Sequence, residues 1–301
     1  MQQYKDLIIR CLFKGEQRDD RTGVGTTSIF GASLDIDVRG GFPLVTLKKT
    51  LWRSAFIEML WFLRGESNID YLKEHNVKIW DAWADKAGNL GPVYGVQWRH
   101  WPGKLHALTD DELLNNSFEA TDFVGFAPHR AESGKAVYLY QKHHDQLKEL
   151  IDGIKQNPSG RRHIVTAWNP GFIADMGLPP CHRDFQCYVT NDGHLDLMMS
   201  QRSADLLLGV PFNIAQYSLL LHLLARATNL KARRLRINYG DVHIYKNHME
   251  AATELVKREP LSCKSELVIN TDNTDIDGYT INDFNIEGYE SYPFINLTVA
   301  V

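Results

Sequence analysis

FQCYVTNDGHLDLMMSQR (residues 185–202), PFNIAQYSLLLHLLARATNL (211–230) and RRLRINYGDVHIY (233–245) follow one another almost without a gap. The first alternates apolar and polar residues on both sides of Asn191-Asp192-Gly193, which predicts a hairpin. The second is apolar nearly all round, so it predicts a long buried helix that Pro211 can start. The third alternates again and predicts a strand. Strand, strand, buried helix, strand, without a regular βαβ repeat, points to an α+β fold.

Outward from that block the pattern holds. Residues 1–17 read as an amphipathic helix, QRDDRTGVGT (17–26) as a loop and TTSIFGASLDIDV (26–38) as a strand. SAFIEMLWFLRG (54–65) is a second buried helix, which Ser54 can cap and Gly65 can end. SNIDYLKEH starts a further helix at residue 67, ahead of IWDAWAD (79–85). QKHHDQLKELIDGIKQNP (141–158) reads as an amphipathic helix and RRHIVTAWNP (161–170) as a strand. Between them, residues 102–140 are polar and weakly periodic, as in a peripheral insertion.

Composition narrows the function. With 301 residues a sizeable core is possible, and a formal net charge of −4 argues against a nucleic-acid coat. Cys11, Cys181, Cys187 and Cys263 make neither a disulfide framework nor a CxxC zinc pair. No run approaches the roughly 18 apolar residues of a membrane span, and the N-terminus lacks a signal peptide's apolar stretch. A soluble protein of a reducing, cytoplasmic compartment is expected, with no metal.

Several residues are placed for chemistry. In LPPCH (178–182) two prolines fix the backbone ahead of Cys181. That thiol is either an exposed nucleophile or a small buried hydrophobe. His182 is adjacent, but strand neighbours point to opposite faces, so it need not be the base. Arg21, Arg161, Arg162 and Arg202, with Ser203, can clamp a dianionic phosphate or simply pair with surface acids. Glu58 is the one charge within SAFIEMLWFL, where burial would raise its pKa and suit it to move protons. Asn213 either caps a helix or offers a buried donor and acceptor side by side, the complement of an imide edge such as uracil's. Trp80, Trp83 and Trp98 are core or a stacking wall. His243 and Tyr245 share one face of their strand and can bind a sugar hydroxyl.

Taken together these segments resemble the thymidylate synthase family. The likeness runs through DRTGVGT (20–26), the Glu58 helix, IWDAWAD, GPVYG (91–95), GRRHIVTAWNP (160–170), LPPCH, QRSADLLLGVPFNIAQY (201–217), GDVHIYKNH (240–248) and the final VAV. It covers nearly all the chain except 102–140. The resemblance implies one catalytic domain over 1–301, with a mixed sheet packed on long buried helices and a sheet-mediated obligate homodimer. It implies methylation of dUMP by 5,10-methylenetetrahydrofolate, with no metal, membrane or DNA partner.

By the same resemblance Cys181 is the nucleophile, and Arg21, Arg202 and Ser203 hold phosphate. Arg161 and Arg162 reach the partner's site. Asn213 reads uracil, while His243 and Tyr245 bind the deoxyribose hydroxyl. Glu58, Tyr94 and His182 form the proton network, to which Asp205 also belongs as a catalytic residue. Ile79, Trp80, Trp83, Leu178, Asp205, Gly209 and Phe212 wall the folate, Lys48 receives its glutamate, and Val301 closes over the ligands.

The chain departs from the family at four places. Leu51 stands where a histidine is frequent, Arg183 and Asp184 follow Cys-His, Gly160 replaces a serine, and INLTVAV (295–301) lacks the usual lysine or proline. The nearest alternative is a dUMP hydroxymethylase, in which water replaces hydride. Cytosine-specific relatives carry Asp at the position of Asn213. A silent nucleotide- or RNA-binding protein would have lost the nucleophile or the arginines, and a cysteine hydrolase would need a facing Cys–His pair.

Overall fold

In the computed structural model, residues 1–126 and 136–300 are described. In chain order the elements are α1 (Gln2–Lys14), β1 (Glu16–Arg18), β2 (Thr26–Asp37), α2 (Trp52–Leu63), α3 (Asp70–Glu74), α4 (Tyr94–Arg99) and β3 (Trp101–Leu108). There follow α5 (Asp110–Leu113), β4 (Phe123–Phe126), β5 (Tyr138–His144), α6 (Gln146–Gln156), β6 (Ile164–Thr166), β7 (His182–Val189) and β8 (His194–Asp205). The chain continues with α7 (Gly209–Ala227), β9 (Lys231–Tyr245), α8 (Met249–Lys257), β10 (Glu266–Ile269) and β11 (Phe284–Glu287).

Six strands make one sheet in the order β1-β2-β9-β8-β7-β6. Its pairs are antiparallel except β8 with β9, which run parallel because α7 carries the chain back between them. The Asn-Asp-Gly hairpin forms between β7 and β8, and Gly193 takes the left-handed conformation (φ 77°) that its turn needs.

Register shows why the sequence alternates. Val165, Phe185, Met199, Ile237 and Leu34 lie side by side across five strands, each no more than 1% exposed. One residue along each strand, the row Ile164–Gln186–Met198–Arg236–Asp35 turns to the other face. There Ile164, Met198 and Tyr188 are exposed, and Asp35 pairs with Arg234 and Arg236.

The helices cover the first face. Nine consecutive residues of α2, Ala55–Leu63, are buried, and α7 buries most of its length against α2 and the sheet. Helix α1 is one-sided, burying Tyr4, Lys5, Leu7, Ile8 and Cys11. Pro211 sits in the first turn of α7, where a backbone N–H has no helical partner.

Three expectations change. Helix α2 begins at Trp52, two residues before Ser54, which lies inside its first turn and does not cap it. Asn213 is likewise inside α7 and is not its cap. Residues 141–144 belong to β5, because Tyr138–His144 pairs with Trp101–Leu108. The helix starts only after Asp145, whose carboxylate accepts the Lys148 N–H at 3.0 Å. Segments of the predicted insertion, with residues 141–144, therefore build a second, three-stranded sheet in the order β3-β5-β4.

Candidate active site

The site lies where β7 begins, β8 and β9 end and β2 begins, since Thr26 pairs with Tyr245, Asp205 with His243, and His182 with Gln201. Antiparallel and parallel pairing together bring four distant segments to one edge of the sheet. The LPPCH turn arrives there just before β7.

Cys181 is partly exposed. Burial of the sulfur pushes its thiol up, while the Arg202 charge and the Tyr94 hydroxyl pull it down. The Tyr94 oxygen accepts the backbone N–H of Cys181 at 2.7 Å and that of His182 at 3.4 Å. Arg202 donates through Nε and Nη2 to the carbonyls of Pro180 and Pro179, at 2.9 and 2.8 Å, and its guanidinium lies over Trp168. One guanidinium thus holds the two-proline turn and faces the thiol.

Beside the thiol runs a buried polar line. Glu58 accepts Trp80 Nε1–H at 2.6 Å on one oxygen and Gln216 Nε2–H at 2.5 Å on the other. Burial drives this carboxyl up to about 7 against the pull of both donors. Asn213 donates to Gln216 Oε1 at 3.3 Å and accepts from Gln201 Nε2 at 3.1 Å. His182 is held neutral, its pKa lowered to about 3 by burial and only partly restored by Asn213. Its ring stands between those of Tyr94 and Tyr217.

The β9 end completes the cluster. His243 Nδ1 bonds Asp241 at 2.8 Å, and its ring meets that of Tyr245 edge-on at 5.0 Å. Burial and the charges of Asp205, Asp20 and Cys181 raise the Tyr245 phenol to about 12, against Arg21. Asp205 also accepts the N–H groups of Leu207 and Leu208, which fixes the entry to α7.

The expected folate wall is present as surface. Trp80 is buried, Trp83, Leu178 and Phe212 are half-buried, and Ile79 is exposed. Lys48 is buried in no ion pair among the described residues, and burial lowers its pKa to about 8. A Cβ at Gly209 would come 3.6 Å from Asn213 Oδ1.

Trp98 does not join this wall; it is fully buried core against Phe62 and Phe185. Arg161 and Arg162 are exposed just before β6, and among the described residues no hydrogen bond or ion pair ties their side chains to Cys181. Val301 lies outside the described residues.

A family model described as thymidylate synthase matches residues 2–301. The chain belongs to the thymidylate synthase family. The match spans the small sheet as well as the motif-bearing segments. Three polar contacts at the site were not read from the sequence. Gln201 and Gln216 hold Asn213, and His248 Nε2 meets the Thr298 carbonyl at 2.8 Å, tying the C-terminal segment beside Tyr245. A glutamine inside the apolar run NIAQYSLLL was the available signal for Gln216.

Proposed function

We propose that the protein methylates dUMP to dTMP, with 5,10-methylenetetrahydrofolate as co-substrate and dihydrofolate as product. The observation that carries this reading is the meeting of a guanidinium-flanked thiol, Cys181, with a buried carboxylate linked to an amide, Glu58 and Asn213. A hydrolase needs a base on its thiol. Here the neutral, buried His182 bonds no sulfur, and what surrounds the thiol suits addition to a polar ring.

In this reading the Cys181 sulfur donates an electron pair to C6 of the pyrimidine, and the C5–C6 π electrons move towards O4. Asn213 presents an N–H to O4 and a carbonyl oxygen to N3–H, which steadies the charge that develops. Glu58, Tyr94 and His182 carry the C5 proton away, and Asp205 orders the polar groups between thiol and wall. The sulfur leaves with its bonding pair when the product forms. The folate supplies the carbon and the hydride.

Arg21, Ser203 and the remaining Nη1 of Arg202 hold the phosphate, and His243 with Tyr245 binds the 3′-hydroxyl. The half-buried apolar surface of Trp83, Leu178 and Phe212, with Trp80, Ile79, Asp205 and Gly209, fits a flat bicyclic ring. Lys48, a buried cation without an ion pair among the described residues, suits the glutamate tail, and Val301 closes the site.

The chain works as a cytoplasmic homodimer and a single catalytic domain, with the small sheet peripheral. The outer sheet face, with exposed Ile164, Met198 and Tyr188, supports this, because such a row needs covering. Arg161 and Arg162 flank that face and would complete the partner's phosphate site. Sedimentation equilibrium should give twice the chain mass, and a monomer at micromolar concentration would remove the dimer.

The deciding experiment follows dUMP and methylenetetrahydrofolate together. Stoichiometric dTMP and dihydrofolate, the latter by absorbance, are expected. A modified nucleotide formed without dihydrofolate would instead mean hydroxymethylation.

A further inference from the structure

Five side chains at the site form one line of hydrogen bonds whose sense is fixed at both ends. Trp80 donates to Glu58, Gln216 donates to the other Glu58 oxygen, Asn213 donates to Gln216, and Gln201 donates to Asn213. Gln201 also donates to the backbone carbonyl of Ser203, at 3.0 Å. An indole N–H can only donate and a backbone carbonyl can only accept, and Glu58 accepts on both oxygens while it is ionised.

The amides between have one workable orientation. Turning Gln216 over would set its oxygen against the Glu58 carboxylate and its NH₂ against that of Asn213. Turning Asn213 over would set NH₂ against NH₂ at Gln201. Once these bonds are made, Asn213 keeps one N–H and one oxygen lone pair. Gln201, Asn213 and Gln216 are all buried, so a wrong turn would leave polar groups unpaired away from water.

We propose that Gln216 is a specificity-determining residue of the pyrimidine site: it relays the acceptor character of Glu58 to Asn213 and locks that amide in the sense that fits uracil and refuses cytosine. This rests on the dUMP reading above. Cytosine presents an acceptor at N3 and donors at N4, the reverse pattern. Bound to the locked amide it would face acceptor with acceptor and donor with donor. An amide free to turn could serve either base. Gln216 is a positioning residue in this scheme, acting through Asn213.

The test compares binding and turnover of dUMP and dCMP in the wild type, Gln216→Met and Gln216→Glu. Methionine keeps the length and removes both hydrogen bonds. It should lower the dUMP-over-dCMP preference about tenfold, the scale of one buried hydrogen bond, through a rise in KM for dUMP. Glutamate should keep the preference across pH, because its carboxyl offers Asn213 an acceptor oxygen whether protonated or ionised. The other titratable groups around Glu58 and Asn213 are Tyr217 on α7, Tyr94 on α4 and His182 at the start of β7, with no cation among them.

Unchanged preference in a folded Gln216→Met, or equal loss of both nucleotides, overturns the proposal. Should that variant not fold, a folded Gln216→Glu that loses the preference overturns it instead. A wild type that binds no dUMP is a separate result, which brings down the substrate reading and this one with it.

Discussion

In the six-stranded sheet, five neighbouring side chains from Val165 to Leu34 are buried to within 1%. In the three-stranded sheet only Tyr140, at 9%, counts as buried among the described residues, and it lies outside the main core. The small sheet holds itself together with rings: His106 on Phe118, Phe118 on Tyr140, Phe123 on Tyr140, and Lys142 over Phe118. The large sheet is gripped by α1 and α7, and α2 packs over α7. Side chains that must keep hydrogen-bond geometry to fractions of an ångström sit at the end of this sheet or on the buried helices packed over it, because locked neighbours are what fix them. If the small sheet is peripheral, it can vary without moving the site.

The largest effect should come from the thiol. Cys181→Ser should cut turnover at least about 10⁴-fold, because a neutral hydroxyl is a far weaker nucleophile than a thiolate. Binding of dUMP by calorimetry should change little. Turnover within tenfold of the wild type would sink the nucleophile assignment.

A core truncation ranks next. Phe185, on β7, is fully buried between Trp98 of α4 and Tyr217 of α7. Phe185→Ala should cost about 3–5 kcal/mol in urea unfolding. It should also impair turnover, since β7 carries His182 directly behind Cys181. A loss under 1 kcal/mol would mean that the large sheet is no better packed than the small one.

The gripped region should also set the acid limit. His222 lies in α7 against Phe42, and burial lowers its pKa to about 4. The unfolded chain, with a histidine near 6.5, then binds more protons than the folded one between those values. Stability is therefore full above about pH 6.5 and falls as pH drops towards 4, by at most about 3 kcal/mol from this group. His222→Leu should flatten that part of the pH–stability curve. Equal slopes in both proteins would mean that His222 is not the group that titrates.

Much of this was legible in the sequence because periodicity reports burial. The hairpin, α7 and β9 follow directly from alternation and from an unbroken apolar run. Ser54 misled because a good capping residue can sit inside a first turn when the preceding Trp52 already packs on Phe56. Residues 141–144 misled because an exposed strand in a small sheet has no apolar stripe to announce it. At the site, residue types were readable, but Gln216 meets Glu58 across 158 positions. Which way each amide faces depends on such long-range partners, and no local pattern carries it.

The smallest predicted effect tests the other side of the comparison. Phe118 is half-buried and touches His106, Tyr140 and Lys142, all within the same small sheet. Removing its ring takes away two aromatic contacts and one cation–π contact, each worth about 0.5–1 kcal/mol where water reaches them. Phe118→Ala should therefore cost at most about 1.5–3 kcal/mol, seen as faster proteolysis within 101–144 before any change in the global melt. The kcat and KM for dUMP should stay within twofold. A tenfold loss of turnover would show that the small sheet supports the Cys181 cluster after all, and the division between a gripped catalytic sheet and a self-contained outlying one would have to be abandoned.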